Sequence, residues 1–299
     1  MKHGLLALAT FVAVGAAPAA HAQTTISFGL RLGANYASRS GDDPKYSPVT
    51  GTNSGTATVA VTSQQDYNRK AIFAPQFGAV LDVRFGKLAL QPAVLFSQKG
   101  VDQTLKSTAT QTSSFNGFPG SKFVYNDSFH STSRANYLEI PINVVYTSGT
   151  DHGFQLFAGP YVAFGVGGRT EIENEGSVVS TNGSFTSTNN YYSYGNTFFI
   201  YRDNYPGAPT TNSSTGTGGQ STTVNASFEA TSGAVVARRF DAGLNAGIGY
   251  RFSALQVQLG YGLGLVNQQT GKAPTFRDDL PAYYQRVAHL TATYFIKGM

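Results

Sequence analysis

The sequence contains no cysteine and no tryptophan, and charged residues make up only 12% of it. Without cysteine, the chain has no disulfides, no thiol nucleophile and no thiolate metal site, so packing and hydrogen bonding must stabilise it. The formal net charge of +5 is spread along the chain without a basic cluster. We therefore expect no nucleic-acid partner and no cofactor.

Long apolar runs are also missing after the first residues. Lys2 precedes an apolar stretch from Leu5 to Ala16, and the small residues of Ala20-His21-Ala22 follow it. This order predicts a signal peptide at residues 1–22, removed before Gln23, because the apolar stretch is shorter than the roughly 20 residues of a helical membrane span. Any membrane crossing by residues 23–299 would then have to use strands.

The sequence does have regular alternation of apolar residues with polar residues or glycine. Such a period of two predicts strands with one apolar face. The clearest example runs from Phe240 to Phe252, where Leu244 and Ile248 share a face opposite Asn245 and Gly247. The alternating segments cover residues 26–36, 77–85, 88–99, 138–146, 154–164, 240–252, 255–265 and 290–296.

The lengths of the connections between these segments alternate as well. Long linkers occupy about residues 39–70, 101–134, 167–237 and 267–285, and short turns follow the second, fourth and sixth segments. Short turns on one side and long loops on the other are typical of outer-membrane barrels. We predict an all-β protein, an eight-stranded antiparallel up-and-down transmembrane β-barrel with short periplasmic turns and long extracellular loops.

The alternation also fits a soluble ligand-binding calyx, which would turn its apolar face inward. Glycine crowds the polar face, and a narrow barrel lumen needs small residues, whereas solvent-facing strands do not. Aromatic residues also lie near strand ends on the apolar face, as an interfacial girdle requires: Tyr36, Phe85, Phe96, Tyr146 and Phe252. These features favour the outer membrane.

The polar face of the predicted barrel carries both signs of charge. Inside a narrow lumen these groups should pair with one another and with amides, so that no open solute pore remains. The residues of this predicted polar network are Arg31, Asp82, Arg84, Lys99, Glu139, Arg239, Asp241 and Arg251.

Six segments carry a resemblance to a known family: FGLRLGANYA, LQPAVLFSQKG, YLEIPINVVY, FQLFAGPYVAFGVGG, FDAGLNAGIGYRF and LQVQLGYGLGLVN. Together they resemble the PorT-family outer membrane β-barrel domain, from about Gln23 to Phe295. The resemblance implies the barrel fold and the outer membrane, but the founding member's role in secretion and gliding does not transfer with it. In one departure, Phe295 is followed by four more residues rather than ending the chain.

The third long linker mixes aromatic residues with Ser, Thr, Asn and Gly, a composition suited to adaptable contact surfaces. Packing within hairpin extensions of the strands is the alternative interpretation. The aromatic residues of this possible contact surface are Tyr191, Tyr192, Tyr194, Phe198, Phe199, Tyr201 and Tyr205.

The linkers offer two chemical alternatives. His130 beside Ser128 and Ser131 could form the hydrolytic site of an outer-leaflet lipid-modifying enzyme. Carboxylates could bind a divalent cation, since hard cations prefer oxygen ligands: Asp42, Asp43, Glu171, Glu173 and Glu175. Serines are common in these linkers and no ligand loop has a defined spacing, so we predict no catalytic site and no metal site.

The sequence therefore predicts a non-enzymatic outer membrane protein with a structural or surface-binding role through its extracellular loops. Its expected partners are outer membrane lipids, the barrel-insertion machinery and an extracellular ligand or protein that the sequence does not identify. A closed barrel has no free strand edges and needs no second copy, so we expect a monomer.

Overall fold

The computed structural model describes residues 24–42, 53–54, 57–115, 118–182, 184–201, 234–270 and 282–297. These residues form strands and their connections. No helix in this part of the chain combines the length and the apolar character that a membrane span requires. The predicted signal peptide lies outside the described residues.

Twelve strands are present in the described residues, and all belong to one sheet. They are β1 (Thr24–Gly41), β2 (Asn53–Ser54), β3 (Ala57–Lys70), β4 (Ile72–Phe85), β5 (Leu88–Phe115), β6 (Phe118–Thr147), β7 (His152–Asn182), β8 (Phe185–Tyr201), β9 (Ala234–Ala237), β10 (Phe240–Phe252), β11 (Leu255–Gly264) and β12 (Tyr283–Lys297).

Eight of these strands close into a ring in the order β1, β4, β5, β6, β7, β10, β11 and β12. Every neighbouring pair in the ring is antiparallel, so the predicted all-β antiparallel architecture is confirmed. The last and first strands form the seam, with Ser27 opposite Lys297 and Gly41 opposite Tyr283. Because the ring closes on itself, its backbone ladder has no free edge within the barrel.

Three short turns join the ring strands at one end, which we call the turn end. Gly86 and Lys87 join β4 to β5, and Ser253 and Ala254 join β10 to β11. Gly86 has φ 61° and Ser253 has φ 55°. Positive φ is what two-residue hairpin turns require, because their twist must match that of the flanking strands.

The opposite end, the extension end, differs from the prediction of long loops. Much of residues 39–70, 101–134 and 167–237 is strand: β5 pairs with β6 as far as Phe115, and β7 pairs with β8 as far as Asn182. With β3 on β5, these strands form a five-stranded extension sheet beyond the ring. Polar composition alone indicated loops, but threonine is β-branched and favours strands wherever ladder partners are available.

The two faces of the ring differ in polarity. Apolar side chains point away from the lumen and are exposed, Leu32 by 69% and Phe154 by 75%. Polar side chains point inward and are buried together with a few apolar ones, such as Leu95 and Phe157. The soluble calyx requires the opposite arrangement, with an apolar interior.

Candidate functional site

Buried charges inside the ring form two clusters, and the first lies towards the turn end. The Asp82 carboxylate accepts a hydrogen bond from Arg251 at 2.8 Å and one from the Gln91 amide at 2.8 Å. Arg84 lies 3.4 Å from the same carboxylate and donates to the Thr147 hydroxyl at 3.1 Å. Two guanidinium groups and an amide therefore compensate the burial of one carboxylate.

The second cluster lies towards the extension end and is centred on Lys99. Its ammonium is 2.8 Å from a Glu139 oxygen and 3.5 Å from an Asp241 oxygen. Tyr161 donates its hydroxyl hydrogen to Asp241 at 3.1 Å, and the Gln268 amide donates to the other Asp241 oxygen at 3.3 Å. The lysine thus links two carboxylates carried by different strands of the ring.

Two other residues of the predicted network depart from simple ion pairing. Buried Arg31, between the clusters, donates to Thr293 at 2.9 Å and to Gln258 at 3.1 Å, which are neutral groups. Arg239 was predicted to lie in the lumen, and this is wrong because its side chain is exposed. It precedes the first residue of β10, so the alternation of the strand does not yet apply to it.

Side chains fill the lumen around the Lys99 cluster. The cavity next to the Lys99 cluster has a volume of about 10 Å³, which is about the space one water molecule needs. At the extension end, Tyr201 packs edge to face on Tyr137 at 5.8 Å between ring centroids. Its hydroxyl lies 3.2 Å from the Asn136 carbonyl oxygen and 3.1 Å from the Gly167 carbonyl oxygen, which share its single hydrogen, so this tyrosine covers the lumen at the extension end.

The exposed apolar side chains form a band around the ring, bordered by aromatic pairs. Tyr36 and Phe73 lie 5.0 Å apart at the extension end, and Phe154 and Tyr250 lie 5.1 Å apart at the turn end. On β1 the band covers residues 26–36. A strand of that length rises about 33 Å along its own direction. Because barrel strands tilt by about 40° from the barrel axis, this corresponds to about 25 Å along the axis, which is the height of the apolar band of outer-membrane barrels.

The outer face loses most of its apolar side chains where the ring passes into the extension sheet. On the outer face of β6, Leu138 and Ile142 give way to His130 and Thr132. On the inner face, which carries Glu139 in the ring, residues 123, 125 and 129 of the extension are aromatic, whereas residue 127 is Asp and residues 131 and 133 are Ser. A strand that continues from lipid into water has reason to lose its outward apolar residues at this point.

The extension sheet carries an open groove of about 550 Å³ across β5, β6, β7 and β8. Donors, acceptors and aromatic rings all line it. We call it the extension groove, and its lining includes Lys106, Asn126, Asp127, Glu175, Tyr191 and Tyr192. This groove was not found from the sequence, because it depends on which strands lie side by side.

The predicted aromatic contact surface is divided by the structure. Tyr192 and Tyr194 are exposed on β8, by 66% and 56%, and Tyr191 by 38%. Tyr201 was expected on this surface, and that is wrong because it is buried in the barrel mouth. Phe198 and Phe199 belong to β8 with side chains outside the described part, and Tyr205 lies outside the described residues.

Among the described residues, His130 forms no hydrogen bond with Ser128, which lies two positions away on the same face, or with Ser131. Ser131 is the next residue along the strand, so its side chain points to the opposite face, where it is buried. The imidazole instead contacts Asp102 at 3.1 Å and Thr104 at 3.2 Å.

The carboxylates considered for cation binding are also separated. Glu171, Glu173 and Glu175 alternate along the outer face of β7, and Glu171 pairs with Arg169 at 3.1 Å. Asp43 lies outside the described residues. Within the described part of the chain, no cluster of three potential ligands could hold a metal ion.

A family model described as Outer membrane protein beta-barrel domain matches residues 21–268 of this chain. The match includes β1 to β11, and β12, which closes the ring against β1, lies beyond it. No curated protein matches the sequence.

Several solved structures show a weak likeness. CymD, a monoaromatic hydrocarbon channel, is 7% identical over 91% of this chain and 89% of its own, with a TM-score of 0.19. The Ralstonia pickettii toluene transporter TbuX is 6% identical over 90% and 89%, with a TM-score of 0.17. The transport unit of the Escherichia coli autotransporter AIDA-I is 10% identical over 90% and 90%, with a TM-score of 0.18. Scores this low carry no argument about function.

Proposed function

The chain belongs to the outer membrane protein beta-barrel domain family, and on that basis we propose that it is a closed barrel that presents a binding surface outside the cell. In this proposal the ring crosses the membrane, the turn end faces the periplasm and the extension sheet stands above the outer leaflet. The carrying observation is the loss of apolar side chains from the outer face at the extension end, which supports a boundary between lipid and water there.

The closed lumen supports a role other than solute transport. Both charge clusters connect strands across the interior, and the cavity beside Lys99 has room for about one water molecule. An eight-stranded ring is also just wide enough for side chains to fill. We infer that the interior is a packed polar core that stabilises the barrel.

The extension sheet supports the binding role. Its five strands project well past the apolar band, and a barrel that only anchors itself has no need of them. Tyr192 and Tyr194 are exposed there among small polar residues. Exposed tyrosines offer large contact area at a low cost in conformational entropy.

Several finer parts of the prediction belong to this proposal as well. We propose that residues 1–22 direct export and are removed before Gln23, that the protein is a monomer, and that outer membrane lipids and the insertion machinery are its partners. Membership of the PorT family in particular stays a prediction, because the matching family model is described only as an outer membrane protein beta-barrel domain.

The chain has no cysteine, so a thiol reagent can label only a cysteine that is introduced by substitution. Single introduced cysteines can therefore test the orientation of the barrel. We expect Tyr194→Cys to react with a membrane-impermeant maleimide on intact cells and Lys87→Cys, in a turn, to react only after the outer membrane is opened. The protein should fractionate with outer membranes and shift its gel mobility on boiling. Labelling of Lys87→Cys alone on intact cells would contradict the orientation, and a soluble band without a shift would contradict the membrane location.

A lipid-modifying enzyme is the second candidate function, and the contacts of His130 with Asp102 and Thr104 are the observation in its favour. We propose that these contacts only stabilise the extension sheet. His130→Ala should therefore leave the lipid A and phospholipid profiles of cells unchanged, with His152→Ala as the matched control. A profile altered by His130→Ala alone would favour the enzyme.

A further inference from the structure

Two arginines stand opposite each other on the outer face, where the ring passes into the extension sheet. Arg134 of β6 is opposite Arg169 of β7, and opposed residues of an antiparallel ladder point to the same face of the sheet. This is the outer face, because Arg134 is an even number of positions from Leu138 of the apolar band. Like charges directly opposite each other destabilise a sheet, so an anion bound by both guanidinium groups would remove this cost.

The arginine pair lies at the level where the apolar band ends. Nη1 of Arg134 donates across β5 to the carbonyl oxygen of Phe73 on β4, at 3.0 Å. Phe73 is 72% exposed, and its ring lies beside that of Tyr36 in the aromatic border of the band. Interfacial aromatic rings mark the headgroup level of a bilayer. In the proposed orientation, the arginines are therefore within reach of the headgroups of outer-leaflet lipids.

The surface between the arginines and the apolar band has room for a headgroup. Gly167 of β7 lies there opposite Asn136 of β6, and a Cβ atom at Gly167 would meet no atom within 4 Å. The Asn136 Oδ1 accepts a hydrogen bond from the Gln98 amide at 2.7 Å. The Asn136 amide can therefore offer its own N–H groups to an anion that the neighbouring arginines bind.

The charges around the pair leave it positive. Each guanidinium has five N–H donors. Arg134 uses Nη1 for the carbonyl bond described above, and Arg169 uses Nη2 for Glu171 at 3.1 Å. Another carboxylate on this face, Asp102 of β5, contacts His130 at 3.1 Å. Two arginines with one contacting carboxylate keep one net positive charge and several donors for an anion.

We infer that Arg134 and Arg169 bind the phosphate of an outer-leaflet lipid whose headgroup carries a phosphate monoester, as lipid A does. A guanidinium fork matches phosphate oxygens in a bidentate way, and a monoester offers three terminal oxygens that two forks can share. The acyl chains would then lie on the apolar band, where Leu138 and Phe164 are each 42% exposed. The inference rests on the proposed function, because the pair meets the outer leaflet only if the extension sheet faces outward.

Native mass spectrometry of the purified full-length protein, released from detergent micelles, tests the inference. The probes are diphosphoryl lipid A, dephosphorylated lipid A with the same acyl chains, and phosphatidylglycerol, which has only a phosphate diester. We expect the protein to bind diphosphoryl lipid A about tenfold more tightly than the other two lipids. Arg134→Gln and Arg169→Gln should each weaken lipid A binding about tenfold, because charge-assisted hydrogen bonds to phosphate are lost.

Arg286→Gln is the matched control. Arg286 lies on the outer face of β12 at the same end of the barrel, where its guanidinium donates to the Gly264 carbonyl oxygen at 2.8 Å. The residues opposite it are Ser38 and Leu263 rather than a second arginine. Arg286→Gln should bind lipid A as the unchanged protein does, and a heat-modifiable band should show that every variant is folded.

Several outcomes would overturn the inference: equal binding of dephosphorylated lipid A or phosphatidylglycerol, unchanged binding by Arg134→Gln or by Arg169→Gln, or an equal loss in Arg286→Gln. Displacement of lipid A by inorganic phosphate at the same concentration would also overturn it, because the arginines would then recognise free phosphate rather than a lipid.

The cysteine labelling described above separates the two possible failures. If Tyr194→Cys is labelled on intact cells and lipid A does not bind, the lipid inference is wrong and the proposed orientation stands. If Tyr194→Cys is not labelled on intact cells, the proposed function fails, and the assignment to an outer-leaflet lipid fails with it even if the purified protein binds lipid A.

Discussion

Lys99 shows at the scale of one residue how a membrane barrel can contain buried charge. The residue is 2% exposed, and its ammonium lies between Glu139 and Asp241, which belong to different strands. Taking an ion out of water costs several kcal/mol, which a close counter-charge offsets only in good geometry. With two carboxylates, two hydrogen-bond donors to Asp241 and an aromatic ring 4.4 Å away, the lysine has such geometry.

Replacing this lysine should therefore destabilise the barrel strongly. Lys99→Met keeps most of the side-chain volume but leaves Glu139 and Asp241 buried without their cation. We expect the free energy of unfolding to fall by about 3–5 kcal/mol, measured by urea unfolding of the protein refolded in lipid vesicles.

The exposed pair of Arg169 and Glu171, at 3.1 Å, is the control for that experiment. Arg169→Ala should change the free energy of unfolding by less than about 1 kcal/mol, because solvent screens this pair. If Lys99→Met costs no more than Arg169→Ala, the second cluster does not stabilise the barrel.

Glycine at position 159 is required by a close approach of the backbone. A Cβ atom there would collide with the carbonyl oxygen of Ile142 on β6, whereas one at Gly195 on β8 would meet no atom within 4 Å. We expect Gly159→Ala to lower the free energy of unfolding by about 1–3 kcal/mol through overpacking, and Gly195→Ala to have little effect in the same urea measurement. Similar losses for both variants would contradict this account.

At the scale of the element, one strand can serve two solvents. β6 has an apolar outer face in the ring and a polar outer face in the extension sheet, although its ladder with β5 continues through both parts. Hydrogen bonding therefore defines the length of the strand, and side-chain polarity defines the part of it that can lie in lipid.

An arginine introduced on the outer face should lower the free energy of unfolding by an amount that depends on its position along the barrel axis. Leu244, near the middle of β10, is 51% exposed in the apolar band, and Leu244→Arg should destabilise the barrel by about 2–4 kcal/mol in lipid vesicles. Asn196 lies on the outer face of β8, opposite Glu171, and Asn196→Arg should leave the free energy of unfolding almost unchanged. Equal costs at both heights would mean that the apolar band is not the part in contact with lipid.

At the scale of the whole molecule, closure and filling are separate properties. The ring closes through the β1–β12 seam, and the lumen is filled because charges, amides and a few aromatic side chains pack inside it. A closed ring with smaller inward residues could hold water along its axis. In the described part of this chain, the cavity beside Lys99 has room for about one water molecule.

Planar bilayers should therefore show no steady ohmic conductance when the purified protein is inserted. A large porin in the same lipid is the control for insertion and recording. Reproducible open-channel steps from this protein would contradict the filled lumen and would return solute transport to consideration.

The sequence by itself determined the strands of the ring, the short turns and the inward or outward direction of most side chains, because alternation and turn chemistry act over neighbouring residues. The eight residues of the predicted lumen network included Arg239, whose exposure depends on where β10 begins. Polar residues 101–134 were expected to be loop, and only their pairing across β5, β6 and β7 made them strand. The Lys99 cluster, the Tyr201 closure and the extension groove were decided by the tertiary structure, because each joins residues far apart in sequence that meet only through strand order and register.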